Sequence, residues 1–185
     1  MNVHRRLILR RVFLIIAANL LGFALCQAFF RAFETAAARW LVDLATGGGY
    51  TFRASSTSIG ILPISDTPFT AIVTPSCSAL ASVLALGCLS AATPRMRTSR
   101  RVLATVVALS VVALGNILRI AASVGVGVLA GRSSLVLFHD WFGGLMTFFY
   151  TLGGYILMLY ILLPKHNEPP SAPDVAPEEV VEVVH

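Results

Sequence analysis

Apolar residues gather in four runs along the chain, at about residues 12–30, 78–93, 102–130 and 141–163. Polar and charged residues are rare inside these runs and common between them. A helix of about 20 apolar residues spans the ~30 Å hydrocarbon core of a bilayer, at ~1.5 Å per residue. The pattern therefore predicts an all-α integral membrane protein with about four transmembrane helices. The second run is the shortest, and its small residues suit close helix packing.

The segment between the first two runs shows two further patterns. Apolar side chains recur on one helical face over residues 31–46, with Trp40 at headgroup level and Glu34 on the polar side. That spacing predicts an amphipathic helix lying in the outer interface. The glycine run at 47–49 is expected to end it. Residues 50–75 are rich in Ser, Thr and β-branched side chains and contain three prolines, which predicts a short extended or hairpin-like segment outside the bilayer.

The composition agrees with a membrane protein of one domain. Of the 185 residues, 56% are hydrophobic and 12% charged, and the mean hydropathy is +0.79. The net charge of +5 does not indicate nucleic-acid binding, because the basic residues form short clusters beside apolar runs instead of a patch with interleaved aromatics. Three cysteines at unrelated spacings form neither a disulfide framework nor a zinc pattern. We expect no metal and no cofactor.

The two ends of the chain differ from this apolar domain. Residues 1–11 are basic and precede the first apolar run, as in a secretory signal. That run is long enough to span a bilayer, and no convincing small-residue cleavage site follows it, so we expect an uncleaved first helix. The membrane domain is predicted to cover residues 12–163. Residues 164–185 are rich in Pro and Glu and are predicted to be a disordered cytoplasmic tail.

Two arginine clusters predict the orientation of the helices. One flanks the first span, and the other lies between the second and third spans. The positive-inside rule assigns both to the cytoplasm, which two intervening spans allow. Both termini are then cytoplasmic, and segment 31–76 and a short loop predicted at 131–140 are on the outer side. The arginines concerned are Arg5, Arg6, Arg10, Arg11, Arg95, Arg97, Arg100 and Arg101.

Three residues whose side chains could take part in a reaction are expected at the outer ends of these helices. Cys77 precedes the second span and His139 precedes the fourth. Arg119 lies 18 residues after Arg101, or ~27 Å along a helix. A charge inside an apolar run costs ~2.5–3.5 kcal/mol on insertion scales, which favours a partner or a polar cavity. The structural alternative is that Arg119 extends to the outer headgroups.

The other candidates also have structural alternatives. A lone cysteine is usually a small buried hydrophobe, and His139 could anchor its helix at the interface beside Trp141. Asn116 lies three residues before Arg119 on the same helix face, where it either orients a site residue or packs against a helix. However, a thiol near a helix start and a guanidinium favours its thiolate form, and histidine can exchange the proton. Together they predict Cys77 as a nucleophile and His139 as its acid and base.

These residues resemble the exosortase/archaeosortase family of membrane cysteine transpeptidases. The matching pieces are Cys77-Ser78-Ala79 at the head of a helix, Asn116-Ile117-Leu118-Arg119-Ile120, and His139 followed by Gly143. They occur in the family's order over about residues 60–160. The resemblance implies a protease-transpeptidase at the outer face of the cytoplasmic membrane. Its partners would be exported proteins with a C-terminal sorting signal, made of a short motif, a transmembrane helix and a basic cluster.

The resemblance also implies roles for the residues. Cys77 would attack the scissile carbonyl, Arg119 would stabilise the thiolate or the oxyanion, and His139 would be the general acid and base, with Asn116 in support. Many relatives have about eight spans, so helices that bind the substrate are either absent here or supplied by a second copy in a homo-oligomer. Two other functions remain open: a non-catalytic membrane subunit of an envelope or exopolysaccharide assembly system, and a transporter fragment that binds an anion through Arg119.

Overall fold

A computed structural model of the chain describes residues 3–64, 66–92 and 98–163, and of residues 3–9, 11, 12 and 92 the backbone alone. The described part is mostly helical. In chain order its elements are α1 (Val3–Thr46), β1 (Thr51–Ser55), β2 (Ser58–Ile61), β3 (Phe69–Ile72), a 3₁₀ turn (Pro75–Cys77), α2 (Leu80–Ala92) and α3 (Thr98–Leu162). The predicted tail at 164–185 and the predicted cytoplasmic arginines Arg95 and Arg97 lie outside the described residues, as do the side chains of Arg5, Arg6 and Arg11.

Helix α1 is one continuous helix of 44 residues, about 66 Å long at ~1.5 Å per residue. It contains both the first predicted span and the segment predicted as a separate amphipathic helix. The expectation of a separate interfacial helix is therefore wrong. No glycine or proline lies between Gly22 and Gly47, so nothing in the sequence interrupts the backbone hydrogen bonds. The helix ends where Gly47 and the two glycines after it adopt positive φ angles of 77°, 81° and 87°.

The C-terminal half of α1 buries its polar side. Trp40 is 62% exposed, whereas Glu34, on the predicted polar face, is 0% exposed. Ala38 and Val42 lie on the same inner face and belong to a hydrophobic cluster shared with the sheet and α3. The small side chain of Ala38 lets the sheet approach the helix axis, so this face is covered by protein. The expectation that Glu34 faces water is wrong.

Helix α3 consists of two helical segments, 98–130 (α3N) and 132–162 (α3C), separated by Gly131. Its φ of 79° and ψ of −175° are not helical, and glycine adopts this conformation without steric cost. A Cβ on Gly127 would contact Leu135, and a Cβ on Gly115 would collide with Tyr150. In each contact the two residues lie at similar distances before and after Gly131, so α3N and α3C form an antiparallel pair.

The predicted loop at 131–140 is wrong, because among these residues only Gly131 departs from helical geometry. Residues 132–140 contain no glycine or proline to stop a helix. Their polar composition indicated a loop, but a helix can extend beyond the apolar region when its sequence has no breaker. His139 is therefore held inside α3C, in its second or third turn, and does not lie ahead of the helix.

Helix α2 lies between α1 and α3N and runs antiparallel to both. The C-terminal end of α2 contacts the N-terminal half of α1 through a 2.8 Å hydrogen bond from Asn19 Nδ2 to Cys88 Sγ. The same end meets α3N through a hydrogen bond between the hydroxyls of Ser90 and Thr105. Its 13 residues span only about 20 Å, less than the ~30 Å of a bilayer core. The start of α2 and residues 116–119 of α3N lie at the same level of the helices, since Asn116 Nδ2 binds the backbone oxygen of Cys77 just ahead of α2.

Residues 51–72 form a three-stranded antiparallel sheet in the order β1-β2-β3. The expectation of an all-α fold is wrong here, although the extended, hairpin-like segment was predicted. The central strand β2 is buried along its whole length, with Ile59 1% and Ile61 0% exposed. These side chains pack with Ala38 of α1 and Val128 of α3N in one cluster. The sheet therefore covers the end of the helices where Cys77 lies.

Two helices of the described part, Phe13–Thr46 and Thr98–Leu162, are long and apolar enough to cross a membrane. The apolar segment Leu80–Ala91 of α2 is shorter. Side chains along the first helix are open to the surroundings, with Phe13 70% exposed. A helix with such a surface is stable where lipid surrounds it, so the helices indicate that the chain associates with a membrane.

Candidate active site

Cys77 lies in a tight turn directly ahead of α2. Thr74 precedes the turn and Pro75 is its first residue, which fixes the φ angle where the chain reverses. The Cys77 N–H donates to Thr74 O at 3.0 Å, and the Ser78 N–H donates to Pro75 O at 3.3 Å. Because α2 begins only at Leu80, Cys77 belongs to this turn and not to the first turn of α2.

The thiol of Cys77 faces the imidazole of His139. Cys77 Sγ lies 3.3 Å from His139 Nε2 and 3.1 Å from Thr74 Oγ1. Both distances permit hydrogen bonds to sulfur. The two partners approach from different elements, since His139 belongs to α3C and Thr74 to the turn. The thiol is half-buried, so it keeps an open side toward a reactant.

These contacts change the acidity of Cys77. Burial raises its pKa, but the hydrogen bonds with His139 and Thr74, together with the charge of His139, lower it from 9.0 to about 6. Hydrogen bonds and positive charge stabilise the thiolate more than burial destabilises it. Cys77 is therefore mainly a thiolate at neutral pH, which is the nucleophilic form.

Arg119 is buried beside the turn, with 6% of its surface exposed. Its Nη1 donates to Thr147 Oγ1 at 2.5 Å, and its Nη2 donates to the backbone oxygen of Cys77 at 3.4 Å. In the described part of the chain, its buried Nε–H has no hydrogen-bond partner. The alternative that Arg119 extends to the headgroups is wrong. The guanidinium lies on the carbonyl side of Cys77 and makes no hydrogen bond to the sulfur among the described residues.

Asn116 connects the Cys77 turn to a buried acid on α1. Its Nδ2 donates to Cys77 O at 2.9 Å and to Glu34 Oε1 at 2.7 Å. The hydroxyl of Tyr150 donates to Asn116 Oδ1 at 2.9 Å, which fixes the orientation of the amide. Glu34 Oε1 also accepts the backbone N–H of Ala79 at 3.1 Å. Asn116 thus orients a site residue directly.

One face of α1 holds both ends of the turn. Arg31 Nη1 donates to Val73 O at 3.3 Å before the turn, and Glu34 binds the N–H of Ala79 after it. Glu34 Oε2 is buried and has no partner in the described part of the chain. Among the site residues, sequence reasoning missed Glu34, because an acid on an amphipathic helix normally faces water. The three-residue spacing of Arg31 and Glu34 was the only available signal.

A cavity of about 240 Å³ opens beside the thiol. Cys77 and His139 line one part of it, and mostly apolar side chains line the rest. The helix carrying His139 also brings Gly143 close: a Cβ there would lie 3.7 Å from both Arg119 Nε and His139 Nδ1. The absence of a side chain at Gly143 therefore leaves space between the imidazole and the guanidinium.

The described residues hold no group of three or more His, Cys, Asp or Glu side chains suited to a metal ion. The site is instead a cysteine–histidine pair supported by a buried arginine, amide and carboxyl group. No family model, curated protein or solved structure matches the chain. The resemblance to exosortases therefore remains an expectation based on the motifs, and the geometry of the site is the observation from which function is argued.

Proposed function

We propose that this chain is an exosortase-like membrane cysteine transpeptidase that cleaves C-terminal sorting signals of exported proteins at the outer face of the cytoplasmic membrane. The observation that carries the proposal is the 3.3 Å approach of His139 Nε2 to Cys77 Sγ. A nucleophilic thiol needs a nearby group that takes and returns a proton, and this pair provides both. The cavity beside the thiol supplies room for a substrate.

The reaction has two halves. In the first, His139 Nε2 already holds the proton of Cys77, and the thiolate attacks the carbonyl carbon of the scissile peptide bond. The C–N bond then breaks, the leaving amine takes the proton from His139, and the acyl group remains on sulfur as a thioester. In the second half, the acceptor (water, a lipid or an amine) gives a proton to His139 and attacks the thioester. The acylated product leaves, and Cys77 returns to the thiolate.

Arg119, which binds the backbone carbonyl of Cys77, is proposed to stabilise the charge that develops on the substrate oxygen. Charge builds on the substrate oxygen when the thiolate attacks, and preorganised donors in a water-poor site stabilise it strongly. The buried Nε–H of Arg119 has no partner among the described residues, and the space left by Gly143 adjoins it. Arg119 is therefore the donor that we assign to the developing oxyanion, while its Nη atoms bind Thr147 and Cys77 O.

Four crossings are proposed for the membrane: the N-terminal part of α1, then α2, α3N and α3C. The contacts of Asn19 with Cys88 and of Ser90 with Thr105 support antiparallel neighbours. Arg10 and Arg100 lie toward the end of the bundle opposite Cys77. The positive-inside rule then favours a cytoplasmic location for both termini and an outer location for the site.

Comparison of C-terminal peptides in strains that differ at one cysteine tests the function. Cells lacking the gene would be complemented with the wild-type chain, Cys77→Ser, or Cys26→Ser as the matched control, since Cys26 is an exposed thiol outside the site. Mass spectrometry of envelope proteins should find truncated C-termini on tailed exported proteins with wild type and Cys26→Ser, and intact tails with Cys77→Ser. Processing restored equally by Cys77→Ser would refute catalysis and favour a non-catalytic membrane subunit.

The proposed orientation has its own test. A membrane-impermeant maleimide applied to intact spheroplasts should label Cys77 in a Cys26→Ala/Cys88→Ala background. A small permeant alkylating reagent shows in parallel whether the thiol is reactive at all. Labelling of Cys77 by the impermeant reagent only after the cells are opened would overturn the outer location.

A further inference from the structure

Strand β3 is at the edge of the sheet, and the alternation of its hydrogen bonds shows which groups are unpaired. Beside the strands, the Val73 N–H donates to Thr57 O at 2.9 Å. In an antiparallel ladder every second pair exchanges hydrogen bonds. This bond and the register of β3 with β2 therefore direct the backbone N–H and C=O groups of Phe69 and Ala71 toward β2. The N–H and C=O groups of Thr70 and Ile72 then face away from β2.

The pairing of β2 with its other neighbour supports this assignment. The Leu62 N–H donates to Tyr50 O at 2.8 Å, which continues the register of β1 with β2. The same alternation directs the backbone N–H and C=O groups of Gly60 toward β1, and those of Ile59 and Ile61 toward β3. In the described part of the chain, the outward backbone groups of Thr70 and Ile72 make no hydrogen bond to any other segment. A row of unpaired strand groups is a template for another extended chain.

This free edge forms one side of the cavity that ends at Cys77. All four residues of β3 line it, together with Arg132, Val136 and His139 of α3C. Buried side chains of β2 and α3N, among them Ile59 and Val124, form the floor. The chain continues from Ile72 through the turn to Cys77, so the edge and the thiol belong to one continuous groove.

We propose that the substrate of Cys77 is an extended peptide that binds as a fourth strand along β3, pairing its backbone with Thr70 and Ile72. The proposal rests on the proposed function, because it assigns the mode in which the substrate reaches the thiol. Main-chain pairing supplies affinity, and every second side chain of the added strand enters a pocket and supplies specificity. Since the pocket lining is mostly apolar, the residues entering it are expected to be apolar.

The size of the cavity agrees with side chains as its occupants. Its volume of about 240 Å³ is below the roughly 300–1,000 Å³ of pockets that enclose drug-sized ligands. A peptide that keeps its backbone at the strand edge and inserts only alternate side chains needs less enclosed space. The volume therefore suits alternate side chains of an extended polypeptide segment.

Peptide vinyl sulphones test the binding mode on the full-length chain in detergent or nanodiscs, in the Cys26→Ala/Cys88→Ala background. Four probes are compared by their second-order rates of Cys77 alkylation. They are an acetylated pentapeptide with valine at alternate positions, the same peptide N-methylated at its odd-numbered residues, the same peptide N-methylated at its even-numbered residues, and methyl vinyl sulphone without a peptide. The thiolate adds to the vinyl carbon, and the adjacent carbon takes a proton from His139, so one thioether forms and nothing leaves.

If the peptide binds as an added strand, the effect of N-methylation on the alkylation rate depends on which alternate residues carry the methyl groups. The unmodified peptide should react at least tenfold faster than methyl vinyl sulphone. N-methylation of the residues whose N–H groups face β3 should return the rate to that of the small probe, whereas N-methylation of the other parity should keep most of the gain, because those N–H groups point away. Equal effects of both parities, or no gain from the peptide, would overturn the proposal.

Two substitutions at Thr70 test the protein side. Thr70→Pro removes the outward N–H without removing a hydrogen bond to β2, and proline is tolerated on edge strands. Thr70→Val keeps the N–H with a side chain of similar shape and is the matched control. The peptide probe should lose its advantage in Thr70→Pro only, while alkylation by iodoacetamide stays unchanged in both. An unchanged peptide rate in Thr70→Pro would contradict pairing at this residue.

The rate of alkylation by iodoacetamide distinguishes failure of the strand-addition mode from failure of the proposed function. If Cys77 reacts with iodoacetamide much faster than Cys26 but the peptide gives no advantage, the nucleophile stands and the strand-addition mode fails. If Cys77 reacts no faster than Cys26 with any reagent, the activated nucleophile itself is refuted. A peptide advantage that disappears as protein concentration rises would show that β3 pairs with a second copy instead.

Discussion

Asn116 donates a 2.7 Å hydrogen bond from its side-chain nitrogen to Glu34, a residue of a different helix 82 positions earlier in the chain. The same nitrogen lies 2.9 Å from the backbone oxygen of Cys77. The amide therefore joins α1, α3N and the nucleophile turn at one buried point. Glu34 completes the link through the N–H of Ala79, so the position of the thiol depends on a carboxyl group that does not contact it.

Glu34→Ala should destabilise the protein and loosen the turn. It leaves the Ala79 N–H and one donor of Asn116 without an acceptor in a buried place, which costs about 1–3 kcal/mol. Glu34→Gln keeps an acceptor oxygen in a side chain of the same shape, so it should lose much less stability. Thermal unfolding in detergent measures the first effect, and the rate of Cys77 alkylation at pH 7 measures the second. Equal stability of the two variants would show that the carboxyl group does not hold the turn.

His139→Ala should move the pH profile of Cys77 reactivity upward. In the wild-type chain the thiolate, and with it the alkylation rate, should reach half its maximum at a pH of about 6, the pKa of Cys77. Because the hydrogen bond and charge of His139 lower that pKa, their loss should move the midpoint toward 9.0 and slow alkylation at neutral pH. Iodoacetamide rates measured from pH 4.5 to 10 test this.

The matched thiol for the His139 experiment is Cys26, followed in a Cys77→Ser/Cys88→Ala chain. The rate at which Cys26 is alkylated at one fixed pH should not change when His139 is replaced, because Cys26 is an exposed residue of α1 outside the site. A Cys77 midpoint that stays near 6 in His139→Ala would show that another group stabilises the thiolate. It would remove the main support for His139 as the acid and base.

Arg119→Lys should impair turnover without moving the pH profile of the thiol. The three N–H donors of an ammonium group sit on one nitrogen, so they cannot replace the separate nitrogens with which Arg119 binds Thr147 Oγ1, binds Cys77 O and keeps a free N–H. Loss of an oxyanion donor typically lowers turnover about 10²–10³-fold. Processing of the tailed proteins found in the strain comparison measures turnover. The control is Arg39→Lys, at a partly exposed arginine that pairs with Asp43.

A changed thiol pH profile in Arg119→Lys would contradict the geometry, since Arg119 contacts the carbonyl side of Cys77. Unchanged processing would contradict its assignment to the oxyanion. The two measurements therefore separate a role in activating the thiol from a role in stabilising the substrate oxygen.

Gly115→Ala should destabilise the α3N–α3C pair. A Cβ there would lie 2.6 Å from Cβ and Cγ of Tyr150, close to the backbone of α3C, so the two segments would have to separate. Overpacking of this kind costs about 1–3 kcal/mol. Gly125→Ala in the same segment is the matched control, because a Cβ there would meet nothing within 4 Å. Thermal unfolding should show a lower midpoint for Gly115→Ala alone, and equal midpoints would contradict the close packing.

The sequence alone determined the helices and the main candidates for chemistry. Long apolar runs can satisfy their backbone only as helices in a membrane, which is why the helical regions were predictable. Cys77, Arg119 and His139 were recognisable as unusual residues at helix ends or within an apolar run. Their positions along the chain and the ~1.5 Å rise of a helix were enough to predict that they lie at the same membrane face.

Tertiary structure decided what those residues contact. Glu34 entered the site because distant elements pack there, and no local pattern marks an acid that residues far along the chain will bury. The free edge of β3 likewise depends on strand pairing, which joins residues far apart in sequence. The helical periodicity of a segment identifies its faces, but only packing against the other elements decides which face is buried and which hydrogen-bonding groups remain unpaired.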